Sequence, residues 1–393
     1  MNPHYSAKKI VAPYLCVFAF FLLIISCKES KSKDILEVLP ATETLAPLPD
    51  SLQNFIMDKV KSNAVAGQRR VVFKVGKPGE MASYFGYDGR GDSLITRFNI
   101  NYEIGSNSKM FTATAIMQLI EQGKIALETP LTKILPDNNL YDGLLMIGDM
   151  NYIDSVKVKN LLNHTSGMPD YFLEEGDEAE IKKNGDASLV FSTQDLISMS
   201  KRSKKERFAP DTKFEYSNIN YIFLGEIIKK ITGQSYSEYI QEHILDKLGM
   251  EDTYFGSVKP PQHMEQGHFK GVESEMPYTM AGPAGDIIST LYDMFLFTDA
   301  WFTGKLFKNP ETLHTVLNDY FHDMGMGLTY GLGVINMQNK SWGHEGQTFG
   351  FQAYSAATPN GYCFVGYMDD AEGSKASMWM PAIALSSYLM RME

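Results

Sequence analysis

From residue 102 the chain reads Tyr102-Glu103-Ile104-Gly105-Ser106-Asn107-Ser108-Lys109 and continues through Gln122 to Gly123. Residues 98–104 have the character of a strand. After Lys109, apolar side chains recur at Phe111, Ala115, Met117, Leu119 and Ile120, close to helical spacing. Gly123 stands where a glycine caps a helix C-terminus. Ser106 therefore opens a helix, expected to be amphipathic, and Lys109 lies one turn on along the same face. A helix start favours developing negative charge, and its first amides can donate to an oxyanion. A serine hydroxyl needs a base to attack a carbonyl, and a partly desolvated lysine can be neutral enough to serve.

Working outward from this stretch, 51–62 is spaced as a helix, and Arg70–Val75 is a β-branched run closed by the turn Gly76-Lys77-Pro78-Gly79. The middle of the chain, roughly 135–321, is mostly helix and loop. It includes Tyr221–Ile231 before Gly233, Tyr236–Leu248 before Gly249, and Asp286–Phe302 before Gly304. Tyr330–Met337, Phe349–Thr358 and Tyr362–Met368 then fit an antiparallel meander, and Ser377–Met392 a closing helix. Strands at both ends with helices between them predict an α+β fold, a single unit split by a helical insertion.

Composition narrows the function. The chain has 393 residues, 44% hydrophobic and 21% charged, with a formal net charge of −11. It carries no basic stretch able to track phosphates, which argues against a nucleic-acid partner. Lys8 and Lys9 precede an apolar run over Ile10–Ile25, shorter than the roughly 18 residues of a membrane span and patterned as a signal peptide. The run ends in Leu23-Ile24-Ile25-Ser26-Cys27, which resembles the lipobox of bacterial lipoproteins. The expected layout is a signal over 1–26, lipid on Cys27, a tether over 27–50 and a catalytic domain over 51–393. That places the protein outside the cytoplasm, held to a membrane by its lipid alone. Cys363 then stands alone, so no intramolecular disulfide is expected.

A serine three residues before a lysine is a weak signal, since Ser6/Lys9, Ser30/Lys33 and Ser198/Lys201 also match. Context selects Ser106. Of the 21 tyrosines only Tyr216 has Asn two residues later, at Asn218, and of the 8 histidines only His344 has Gly two residues later, at Gly346. In that order these motifs resemble those of the class C β-lactamase, DD-peptidase and esterase family. The resemblance extends through residues 161–169 (Leu-Leu-Asn-His-Thr-Ser-Gly-Met-Pro), 221–228, 248–253 and 281–290. It implies acylation of Ser106, with Lys109 and Tyr216 sharing general-base duty. Asn218 would bond Lys109 and the substrate amide, and His344 would lie on a strand lining the cleft. Gly346 would let the substrate backbone approach, and the Gln347 amide would complete an oxyanion hole with that of Ser106.

Departures from the pattern bear on the substrate. His344 stands where β-lactamases have lysine, which weakens the case for a dedicated β-lactamase. If His344 grips an anionic substrate, KM should rise with pH through about 6.5. Asp211 follows Pro210 where the family usually has glycine, which puts a turn in question. His164 reads as a turn residue, and His263 and His268 fit no metal spacing. The expected partner is a peptidoglycan-derived D-amino-acid peptide or a small ester, with no cofactor. A penicillin-binding sensor that acylates without turnover is the competing reading, and oligomeric state is left open.

Overall fold

The two ends of the chain meet in one sheet. The computed structural model describes residues 51, 54, 70–77, 79, 82–88, 100–172, 188–269, 271–371 and 379–391, all within the unit Val38–Glu393. The signal, Cys27, the tether, most of the helix expected at 51–62 and the start of the strand expected at 98–104 lie outside them.

In chain order, the elements that position the site are β1 (Arg70–Gly76), β2 (Ser83–Asp88), β3 (Tyr102–Glu103), α1 (Ser108–Glu121) and α2 (Ile219–Thr232). They continue with β4 (Tyr254–Phe255), β5 (Ile287–Ser289), α3 (Leu291–Phe302), β6 (His322–Gly325) and β7 (Leu328–Tyr330). Last come β8 (Ile335–Met337), β9 (Ser341–Gln347), β10 (Gln352–Ala357), β11 (Cys363–Met368) and α4 (Trp379–Leu389). The main sheet runs β6-β7-β8-β9-β10-β11-β1-β2. Strands β6 to β11 form the meander, and β1 closes on β11 antiparallel, with Val71 opposite Met368 and Val75 opposite Phe364.

Alternation along these strands sorts side chains to two faces. Val72, Ala353, Val365 and Tyr367 join the larger core, whereas Val71, Phe73, Phe364 and Met368 pack with Ala382, Leu385 and Leu389 of α4. Each large apolar side chain so buried contributes about 1.5–3 kcal/mol. β3, β5 and β4 form a second, three-stranded sheet.

Three elements depart from expectation. Every residue of α1 from Ser108 to Leu119 is buried, so the helix is enclosed rather than amphipathic. Its polar groups therefore bond inward: Thr112 Oγ1 donates to the Pro283 carbonyl at 2.8 Å, and Gln118 Nε2 to that of Leu306 at 2.9 Å. The helix expected over Asp286–Phe302 is instead β5 followed by α3. The β-branched pair Ile287-Ile288 extends against β3 and β4, and the Thr290 side chain caps α3 by accepting from the Asp293 amide. The run Tyr330–Met337 is broken at Gly331–Gly333, so that β7 and β8 pair as a hairpin.

Candidate active site

Ser106 sits in a 3-10 turn, Gly105–Asn107, that leads straight into α1. Gly105 has φ +51, and a β-carbon on it would stand 2.8 Å from the Gln347 backbone nitrogen. Only glycine lets this turn lie against the end of β9. Asn107 then fastens it: Nδ2 donates to the Ile104 carbonyl at 3.0 Å, and Oδ1 accepts from Ser355 Oγ of β10 at 2.6 Å. Ser106 itself is only half-buried, so a substrate can reach it.

Lys109 is fully buried beneath the serine. Its Nζ lies 2.9 Å from Ser106 Oγ, 2.7 Å from Asn218 Oδ1 and 2.8 Å from the Ala284 carbonyl. The last two oxygens only accept, so they take two of its protons. The serine hydroxyl can either donate or accept, so a neutral Nζ has its lone pair left for that hydroxyl. Burial pushes the Lys109 pKa down to about 7, while the charge of Asp170 pulls it upward.

Tyr216 is within interaction range of the Ser106 hydroxyl, which lowers the Tyr216 pKa, but burial outweighs this and holds the phenol far above the usual tyrosine range. The Tyr216 ring centroid is 4.9 Å from Lys109 Nζ. It leans on the His164 ring at 4.2 Å between centroids. His164 is a turn residue as expected, with φ 59. Its Nδ1 accepts from the Ser217 amide at 3.2 Å, which fixes the backbone just after Tyr216.

One expected role changes. His344 is buried, and its Nδ1 hydrogen-bonds the Glu345 carbonyl while Tyr330 Oη lies 2.9 Å from Nε2. A carbonyl only accepts, so Nδ1 carries the proton, Nε2 accepts from the phenol, and both nitrogens are committed within the protein. Burial, with the nearby Lys109 charge, pushes the His344 pKa down to about 3. The expected grip of a protonated His344 on a substrate carboxylate is therefore corrected: the ring is neutral at physiological pH. Gly346 is also needed inside the protein, because a β-carbon there would stand 1.9 Å from the Ile104 carbonyl oxygen. The turn at Asp211 survives without glycine, since Asp211 takes φ 65, a region aspartate tolerates, and its carboxylate accepts from Asn160 Nδ2 at 2.6 Å.

The structure thus gathers Ser106, Lys109, Tyr216 and Asn218, with the exposed Gln347 across from Gly105. Sequence reading missed Asp170, which accepts from the Asn218 backbone amide at 2.9 Å and from its Nδ2 at 3.0 Å. It also missed Asn107, Ser355 and the Ala284 carbonyl. The signal for Asp170 was its place directly after the motif segment ending at Pro169.

The beta-lactamase family model matches residues 60–378. The chain belongs to this family. Among curated relatives, it is 28% identical over 289 residues to a putative penicillin-binding protein, PbpX, of Bacillus subtilis, covering 72% of this chain and 65% of that protein. It is 29% identical over 232 residues to protein flp of Staphylococcus aureus, covering 59% and 41% respectively. The chain thus spans less than two thirds of the length of these relatives. Among solved structures, a D-amino acid amidase from Ochrobactrum anthropi superposes with TM-score 0.71 at 23% identity, covering 87% of this chain and 100% of that one. A class C beta-lactamase mutant gives TM-score 0.65 at 22% identity, covering 86% and 96%. At such identity these likenesses establish the α+β fold of the beta-lactamase family and no more.

Proposed function

We propose that this beta-lactamase-family chain is a serine acyl hydrolase that forms an acyl-enzyme on Ser106 and cleaves D-amino-acid amides and peptides or small esters. The observation that carries the proposal is the arrangement of Lys109, whose two acceptor-only partners leave its lone pair for Ser106. Ser106 Oγ attacks the substrate carbonyl carbon, and its proton passes to the neutral Nζ. Between the two candidate bases, the lysine is the better match near neutral pH, because burial lowers its pKa and raises that of Tyr216. Tyr216, within interaction range of the same hydroxyl, is placed to relay a proton to the departing amine or alcohol. The Ser106 and Gln347 amides would hold the oxyanion. Water then attacks the acyl carbon and gives its proton to the same base, which returns it to Ser106 Oγ as the acyl-oxygen bond breaks.

With His344 neutral, β9 presents no cation at residue 344 to hold a substrate carboxylate, and on that ground we favour amide and ester substrates over penicillins. A fluorophosphonate should label the protein, and Ser106→Ala should abolish the label; labelling that survives the change overturns the proposal. The relatives named penicillin-binding proteins motivate a second reading, a sensor that acylates and stalls. Steady hydrolysis of a nitrophenyl ester or a D-alanyl amide beyond one equivalent excludes it. Export and lipidation at Cys27 belong to the same proposal, and mass spectrometry of the processed N-terminus checks them.

A further inference from the structure

Asn218 presents its amide oxygen to Lys109, and the reason lies one residue further from the reaction. Asp170 is buried, and the groups that reach its carboxylate are donors: the Asn218 amide at 2.9 Å, Asn218 Nδ2 at 3.0 Å and the Phe172 amide, with Lys205 Nζ at 3.9 Å. Burial raises the Asp170 pKa, and Lys205, the Phe172 and Asn218 amides and Lys109 pull it back down. Once ionised the carboxylate only accepts, so it forces the NH2 end of Asn218 to face it and turns Oδ1 toward Lys109. Were the amide reversed, its NH2 would point at Nζ and compete with Ser106 for the lysine lone pair.

We propose that Asp170 is a positioning residue for the nucleophile: acting through Asn218 it aims the lysine lone pair at Ser106, and by its charge it strengthens the hold of Lys109 on its proton. The inference rests on the reading of Lys109 as the base. Around Lys109, Tyr216 precedes α2, Tyr221 belongs to α2, His164 follows the helix Val158–Leu162, and His344 lies on β9. Burial holds both tyrosines protonated and both histidines neutral near pH 7. Asp170 is the one acid whose charge acts on Lys109 among the described residues, and Lys205 helps to keep that acid ionised.

Asp170→Asn removes the charge and puts a donor where Asn218 expects an acceptor. Provided its circular dichroism matches the parent protein, the acid limb of kcat/KM for a nitrophenyl ester should move down by about one pH unit, with kcat on the plateau falling about tenfold or more. A limb that stays within about 0.2 unit overturns the inference even where the rate falls, because a purely structural loss lowers the rate without moving the limb. If Asp170→Asn does not fold, Lys205→Met decides: without the cation that helps keep Asp170 ionised, the charge beside Lys109 weakens and the limb should shift downward, and an unmoved limb overturns the inference. Fluorophosphonate labelling of Ser106→Ala separates the two levels. Loss of label with an unmoved limb defeats only the role of Asp170, whereas label that persists defeats the catalytic reading beneath it.

Discussion

A β-carbon on Gly346 would lie 1.9 Å from the carbonyl oxygen of Ile104 and 2.9 Å from Asn107 Nδ2. Strand β9 and the nucleophile turn are thus in backbone contact, and the position of Ser106 depends on an atom that residue 346 does not have. Gly346→Ala must push the turn off the strand, at a cost of about 2–3 kcal/mol by the usual scale of overpacking. The expected outcome is a melting temperature lower by roughly 5 °C and a kcat lower by about a hundredfold, since reacting groups displaced by an ångström lose about that much. Thermal unfolding and ester hydrolysis check both, and a variant with unchanged kcat would sever the link between β9 and Ser106.

A second prediction follows from the Lys109 pKa of about 7. Only the neutral amine can take the serine proton, so kcat/KM should rise as pH rises through about 7 and be lost below it. Lys109→Arg should be inactive from pH 5 to 9, because a guanidinium does not deprotonate in that range. Hydrolysis of a neutral nitrophenyl ester across that range provides the measurement. A flat profile from pH 5 to 9 would remove Lys109 as base.

The nucleophile was legible because helix start, lysine spacing and two unique partner motifs converge on Ser106. The α+β layout was legible because β-branched runs stand at both ends of the chain. What sequence did not disclose is set by tertiary enclosure. The spacing of α1 suggested one apolar face, yet the helix is buried on every side from Ser108 to Leu119, which desolvates Lys109 and lowers its pKa toward the range a base needs. Likewise His344 carries the same side chain in water or in a core. Only its burial beside Lys109 keeps it neutral, while the Tyr330 hydroxyl and the Glu345 carbonyl fix its tautomer. Ile287-Ile288 became a strand because two other short strands were there to pair with it.

The neutrality of His344 gives a third prediction. Its pKa of about 3 lies well below the assay range, so the ring does not change charge between pH 5 and pH 8. KM for a substrate carrying a carboxylate should therefore show the same pH dependence in the parent protein and in His344→Gln, whatever the titration of Lys109 adds to both. A KM that climbs through pH 6.5 in the parent protein, and not in His344→Gln, would restore the charged role.

Glu103, three residues before the nucleophile, supplies the last. It is buried, its Oε2 has no hydrogen-bond partner among the described residues, and burial pushes its pKa up to about 7 from the ordinary 4.5. Below pH 4.5 folded and unfolded chains are both protonated there, so burial adds no charge penalty. Between 4.5 and 7 the unfolded chain releases its proton while the folded one keeps it, and above 7 the penalty is fully present. The parent protein therefore loses up to about 3 kcal/mol through this residue as pH rises across that window. Glu103→Gln has no proton to release, so its stability relative to the parent should increase from pH 5 to pH 8. The buried His164, His344 and Asp286 titrate in both proteins and cancel in the difference, to the extent that they are not coupled to Glu103. Paired denaturant melts at the two pH values give the comparison. An unchanged difference would mean that Glu103 is ionised in the folded protein at pH 5.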